Sequence, residues 1–261
     1  MVWNDSFLSE EPTVRLIDQF EIIREKLGAL TESDDPDIAS KVRMAQEIFP
    51  FLEDLATDGE FDLAVGAGRS CYSSKLVTPQ AAGVNPDLAE KIAESTWSAR
   101  HHTLYMHTNF TFLLDGISRQ SIWSTFHSHP FYNSEQVSQR YKKMGKKNVT
   151  RPNLEGEAAE VFAKAIDLQF ELYNTFRGDL LFPKASEAFF GRFPGRRGKA
   201  DEWKSAILKK TQEIARYFLP IATQAHMYHS VNAITLARYH RLANQPDVPQ
   251  EVSHIVGKMV D

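Results

Sequence analysis

Apolar positions recur at helical spacing along most of this chain and alternate in one short stretch, which predicts helices packed on a sheet. Val14, Leu16, Ile17, Phe20, Ile23 and Leu27 follow Pro12 and predict a helix over residues 12–30, since proline suits a first helical turn. After Asp34-Asp35-Pro36, the positions Ile38, Val42, Ala45, Ile48, Phe49 and Leu52 predict a second helix. The segment FDLAVGAGRSCYSS carries Gly66 and Gly68 but lacks the third glycine and the βαβ surroundings of a dinucleotide loop, and reads as a turn. Asn85-Pro86 opens a helix to about Arg100, with Asn85 as its cap. In TNFTFLL the alternation of Phe110, Phe112 and Leu114 predicts a strand, which Asp115-Gly116 turns toward a helical stretch over Ser118 to Phe126. Pro130 stops that helix. Ala159, Phe162, Ala163, Ile166, Phe170 and Tyr173 predict an amphipathic helix over 155–176. A Gly/Pro-rich loop, GRFPGRRGK, then gathers Arg192, Arg196, Arg197 and Lys199, and further helices are predicted at about 201–218, 228–243 and 248–260.

Composition narrows the picture only a little. With 261 residues, 42% hydrophobic and 25% charged, the chain has the material for a full core and the make-up of a globular protein. A net charge of −4 opposes broad coating of nucleic acid, and no apolar run reaches membrane-spanning length. The N-terminus MVWNDSFLSEE is acidic where a secretory signal needs a basic start, so cytoplasm is the expected location. The single cysteine, Cys71, allows neither a disulfide framework nor a cysteine metal cluster, and reads as a small buried hydrophobe.

The chemistry concentrates in SRQSIWSTFHSHPFYNSEQVSQRY, Ser118 to Tyr141. A run this polar, closed by Arg140, is poor core material and good anion-binding material, because a guanidinium matches phosphate or carboxylate oxygens two at a time. In isolation the same run would be a polar helix end with Arg140 in a surface ion pair. His101, His102, His107, His127 and His129 raise the idea of a metal site, but no carboxylate stands at ligand spacing beside them, and no metal is expected. The arginine-rich loop at 192–199 reads as a solvated loop ahead of a polyanion site.

Several short words, in order, resemble the flavin-dependent thymidylate synthase family over roughly residues 60–260. Glu135-Gln136-Val137-Ser138-Gln139-Arg140-Tyr141 matches the end of the family's central motif. Ala67-Gly68-Arg69-Ser70 matches its small-residue turn with an arginine. His101, Thr103, His107 and the strand TNFTF, followed by Gly116-Ile117-Ser118-Arg119, match the words upstream. Ala215, Arg216, Leu219 and Pro220 match those downstream, as does Val231-Asn232-Ala233. The departures are specific. The family's Arg-His-Arg falls on His127-Ser128-His129 or Ser128-His129-Pro130, Ile234 stands where an arginine is usual, and Ala243 replaces the arginine that polarises the uracil ring.

The resemblance implies a mixed α/β fold: a central, largely antiparallel sheet packed with helices, here preceded by an N-terminal helical extension over 1–60. It implies dTMP formation from dUMP, with FAD as hydride carrier, methylene-tetrahydrofolate as one-carbon donor, NADPH as reductant, and a homotetramer. Carried over residue by residue, Gln136, Ser138, Gln139, Arg140 and Arg216 would hold the nucleotide. Likewise His101, Thr103, His127, His129, Asn232 and Arg238 would meet the cofactor. The histidines replace lost arginines only when protonated, and their ordinary pKa lies near ~6.5. The alternative is a family member that binds flavin or nucleotide without the reaction. Both readings require Arg140 and Arg216 to converge.

Overall fold

The computed structural model describes residues 8, 9, 11–16, 36, 38, 42, 45, 62–78, 81, 82, 84–126, 128, 129 and 132–260. Four antiparallel strands form one sheet: β1 (Thr13–Leu16), β2 (Asn109–Ser118), β3 (Tyr132–Gln136) and β4 (Gln224–Asn232), in the order β1-β2-β4-β3. The helices are α1 (Asp62–Ser70), α2 (Pro86–Ser98), α3 (an α-turn, Arg119–Ser121, continued as the π-turn Ile122–Phe126), α4 (Gly156–Thr175), α5 (Leu181–Arg192), α6 (Ala200–Ala215), α7 (Ala233–Ala243) and α8 (Gln250–Val260). The mixed fold around an antiparallel sheet is therefore as the sequence implied. No helix among the described residues is long and apolar enough to cross a membrane.

The expected helix over 12–30 is overturned at its start. Thr13 to Leu16 pair with Asp115 to Phe112 of β2, because proline at position 12 begins an edge strand without needing a donor. The N-terminal extension therefore contributes a strand, while 17–30 lie outside the described residues. Of the second predicted helix, Ile38, Val42 and Ala45 are helical, with Val42 buried.

The turn expected at Gly66 and Gly68 is helix α1. A Cβ on Gly68 would stand 3.1 Å from a Leu104 methyl, so this glycine lets the helix approach the 3₁₀ turn His102–Met106. Helix α2 starts as expected: Asn85 Oδ1 accepts the Leu88 N–H at 3.0 Å. It ends at Ser98, and Arg100, two residues on, takes a φ of 61° that cannot continue a helix.

Asp115-Gly116 does not end the strand. It forms a bulge, with Leu114 opposite Met227 but Ile117 opposite Ala225, so one extra residue sits on β2. Gly116 takes φ 73°, which glycine adopts without a Cβ penalty. The bulge shifts the alternation by one, so Phe112, Leu114 and Ile117 all face the core despite their spacing. The helix expected over 228–243 is half strand. Ala225, Met227, His229 and Val231 are buried in alternation, and helix α7 begins only after Asn232, whose Oδ1 caps Thr235 N–H at 2.9 Å. Strand β3 and helix α5 were not foreseen, and the basic loop is a 3₁₀ turn, Pro194–Lys199.

One core lies between the sheet and helices α7 and α8, with Tyr239, Val252, Ile255 and Val256 against Leu114, Ile117 and Met227. A second joins α4 to the end of α6 through Ile166, Phe170, Tyr173, Ala215 and Leu219. Two of the departures from the family pattern are core positions here: Ile234 packs with Ala64 and Tyr105, and Ala243 is 2% exposed beneath α8.

Candidate functional site

Where β2 ends, the chain turns into α3 with Arg119 as its first residue. The backbone N–H of Arg119 donates to the Thr223 carbonyl at 3.0 Å, and that of Gln120 to the Ile221 carbonyl at 3.0 Å. Those carbonyls belong to the segment joining Arg216 to β4. The Arg119 side chain reaches across to β3, donating from Nη1 to Gln136 Oε1 at 2.5 Å and from Nη2 to the Val137 carbonyl. Its Nε is buried and has no hydrogen-bond partner among the described residues. Burial first, and the neighbouring Arg216 second, pull the Arg119 pKa below its ordinary value, although a guanidinium stays charged at neutral pH.

Arg216 follows the C-terminus of α6 and is partly buried. It lies 5.6 Å from the centre of the Tyr217 ring, and no carboxylate pairs with it among the described residues. Two neighbouring guanidiniums repel, and that arrangement favours an anion between or beside them. Gln136 is thus part of this cluster. Gln139 and Arg140 lie against α6 just before Arg216: the Gln139 carbonyl accepts from Gln212 Nε2 at 3.0 Å, and Arg140 pairs with Glu213 at 2.5 Å. Ser138 Oγ accepts the Arg140 N–H at 3.2 Å, tightening this turn. Arg140 and Arg216 therefore occupy the same end of α6, and Arg140 is held by a carboxylate.

The residues assigned to the cofactor gather elsewhere. Asn232 lies opposite Asn109, at the far end of β4 from Met227, the partner of Gln136. Five residues at ~3.4 Å each separate the two groups by about 17 Å. His101 precedes, and Thr103 lies within, the 3₁₀ turn that packs on the start of α7 through Tyr105 and Ile234, and both are exposed. His129 lies against the middle of α7, its ring 5.7 Å from Tyr239. Burial, then the charges of Arg238 and Arg241, hold His129 below the usual histidine range, so it is neutral near pH 7. It does not restore the charge of a missing arginine. His127 lies outside the described residues. Among the described residues no group of three or more histidine, cysteine or acidic side chains could hold a metal ion. Cys71 is exposed, a correction to its expected burial.

Residues 55–261 match the family model for thymidylate synthase complementing proteins. The chain belongs to that family. A flavin-dependent thymidylate synthase from Clostridium tetani (strain Massachusetts / E88) is 24% identical over 201 residues, covering 76% of this chain and 75% of the relative. Two solved structures share the fold. One is the UMP/dUMP methylase PolB from Streptomyces cacaoi bound with 5-Br dUMP, with a TM-score of 0.54, 16% identity, and coverage of 96% of this chain and 88% of that one. The other is the flavin-dependent thymidylate synthase ThyX from Helicobacter pylori complexed with FAD and dUMP, with a TM-score of 0.51, 16% identity, and coverage of 77% and 88%. Within this thymidylate synthase complementing fold, Arg119 is the residue that motif reading under-weighted. It stands inside a matching word, and its two acceptors, at the end of β3 and just beyond it, are visible only in three dimensions.

Proposed function

We propose that this chain is a flavin-dependent methyltransferase that makes dTMP from dUMP or acts on a closely related uridylate. The observation that carries the reading is the Arg119–Arg216 pair beside Gln136, an anion site with no carboxylate partner on Arg216 among the described residues. A nucleotide 5′-phosphate has the charge and geometry this pair accepts. Ser138, Gln139 and Arg140 border the same place, with the phosphate competing against Glu213 for Arg140.

The residues proposed for the cofactor fit FAD in chemistry. Asn232 Oδ1 is used in capping and leaves an amide N–H₂ to donate, the imidazole of His101 and hydroxyl of Thr103 are exposed, and Arg238 stands partly buried on α7. His127 and His129 belong to this proposed set as neighbours of the flavin, His129 as a neutral group. When bound, FAD supplies the hydride, with NADPH as its reductant and methylene-tetrahydrofolate as the carbon source. The chain's own part is to fix the phosphate, orient the uracil and shield the reacting atoms from water. With Ala243 and Ile234 buried in the core, ring polarisation falls to groups other than an arginine at those positions.

A homotetramer is proposed with it. Trp123, Tyr141, Tyr217 and Ile221, on the segments that carry the arginine cluster, are 75%, 68%, 81% and 68% exposed, apolar surface that a second copy would cover. Subunit association would also bridge the separation between the phosphate cluster and the Asn232 group. The division at residue 60, with an N-terminal extension ahead of the catalytic domain, is kept as part of this proposal.

The test starts from the absorbance spectrum of purified protein with and without FAD, followed by titration with dUMP and with UMP. Methyl transfer is then assayed with methylene-tetrahydrofolate and NADPH. A flavin spectrum perturbed by nucleotide and formation of a 5-methyl product are expected. A protein that takes up no FAD and responds to neither nucleotide sinks the proposal. Flavin and nucleotide binding without product would favour the binding-only reading, which the buried Ala243 supports.

A further inference from the structure

Glu251, in the first turn of α8, is far in sequence from the anion site, yet the residue is only 8% exposed and its side-chain hydrogen bonds among the described residues all go to one turn. Oε1 accepts the Ser118 N–H at 2.8 Å. Oε2 accepts the Ser118 hydroxyl and, at 2.6 Å, the Ser121 hydroxyl. Ser118 is itself the cap of α3, its Oγ accepting the Ser121 N–H at 3.1 Å. The next residue after this doubly capped position is Arg119.

We propose that Glu251 is a positioning residue for the phosphate site, acting through Ser118 and Ser121 on the backbone that carries Arg119. The proposal rests on the reading of Arg119 and Arg216 as a phosphate site. The first turn of α3 is held from two directions. Glu251 grips it from α8, and the carbonyls of Ile221 and Thr223 grip it from the segment that follows Arg216. With its root fixed on both sides, the Arg119 side chain has its heading set toward Gln136 and Val137 before any ligand arrives. A carboxylate suits this place because it accepts one N–H and two hydroxyls at once, and because negative charge is favoured at a helix start. A glutamine of the same shape accepts on only one of its two terminal atoms. The nitrogen then confronts two hydroxyls that need an acceptor, and the turn loosens. The guanidinium that Glu251 aims never touches Glu251, so its contribution is to preorganisation of the anion site.

The experiment compares wild-type protein, Glu251→Gln, Arg119→Ala and the double variant, each loaded with FAD and titrated calorimetrically with dUMP. Glu251→Gln should weaken dUMP binding about tenfold, as expected for disturbing charge-assisted contacts, with FAD affinity and cooperative thermal unfolding retained. In the Arg119→Ala background the same change should add nothing, because the group it aims is gone. Undiminished dUMP binding by Glu251→Gln overturns the inference. So do losses that multiply in the double variant, or FAD affinity falling in step with dUMP affinity. Should Glu251→Gln fail to fold, Ser121→Ala, which removes one of the three bonds, replaces it in the same cycle with the same expected coupling. Wild-type protein that ignores dUMP overturns the phosphate-site reading itself, an outcome distinct from wild type binding and Glu251→Gln binding equally well.

Discussion

The guanidinium of Arg119 donates to two fixed acceptors, Gln136 Oε1 and the Val137 carbonyl, and keeps Nε buried near Arg216. A guanidinium held this way loses little freedom when it meets an anion, so its removal is costly for binding. Arg119→Ala is expected to weaken nucleotide binding by about 1.5–3 kcal/mol, measured by calorimetry. His129 governs a different observable. Its native pKa lies below its ordinary value of about 6.5, so as pH falls from there toward that lower value the unfolded chain binds more protons. Stability from this group is complete above about pH 6.5 and declines on acidification. Glu11, held low by Lys258 and His254, adds a second loss below its ordinary value of 4.5. His129→Asn should flatten the first segment of a plot of unfolding midpoint against pH and leave the second intact. Unchanged slopes in both would contradict the assignment.

Among elements, β2 and β4 form the spine that separates the Arg119–Gln136 cluster from the Asn232 group, and their register depends on the bulge at Gly116. Gly116→Ala must place a Cβ at φ 73°, and is expected to destabilise by about 1–2 kcal/mol without steric clash, since the nearest atom lies 3.7 Å away. Leu114→Ala, at 0% exposure in the same strand, should cost about 2–5 kcal/mol in urea unfolding. At the end of α6, Glu213 engages Arg140 with side chains 30% and 44% exposed respectively, a pair worth under ~1 kcal/mol. Glu213→Ala should therefore leave stability nearly unchanged while raising nucleotide affinity severalfold, because Arg140 is released. Weaker binding would show that the pair itself shapes the site.

For the whole molecule, Trp123, Tyr141, Tyr217 and Ile221 are exposed on the segments that carry the charged cluster. Ile221→Asp places a charge on that surface and should reduce the assembly seen by light scattering, with FAD binding falling in parallel if the flavin site spans subunits. An unaltered mass would remove this surface from the proposed interface.

Much of this could be read from residue order alone. The Asn85 cap, the stripe of α4 and the alternation in β2 are local, because caps and periodicities need only neighbouring residues. The ordered words around Arg140, Arg216 and Asn232 carried the kinship for the same reason. What the sequence left undecided depended on distant partners. Thr13 to Leu16 became a strand because β2 offered an edge, and Gln224 to Asn232 became one because strands lay on both sides. Gly116 became a bulge, not a turn, because the pairing continues beyond it. Arg119 became the centre of the arginine cluster only when β3 and the 221–223 segment closed around it and Glu251 of α8 bonded the Ser118 beside it. Local order sets which chemical groups are present, while their heading and charge environment come from contacts across the chain, from 17 positions apart for Arg119 and Gln136 to 133 for Ser118 and Glu251.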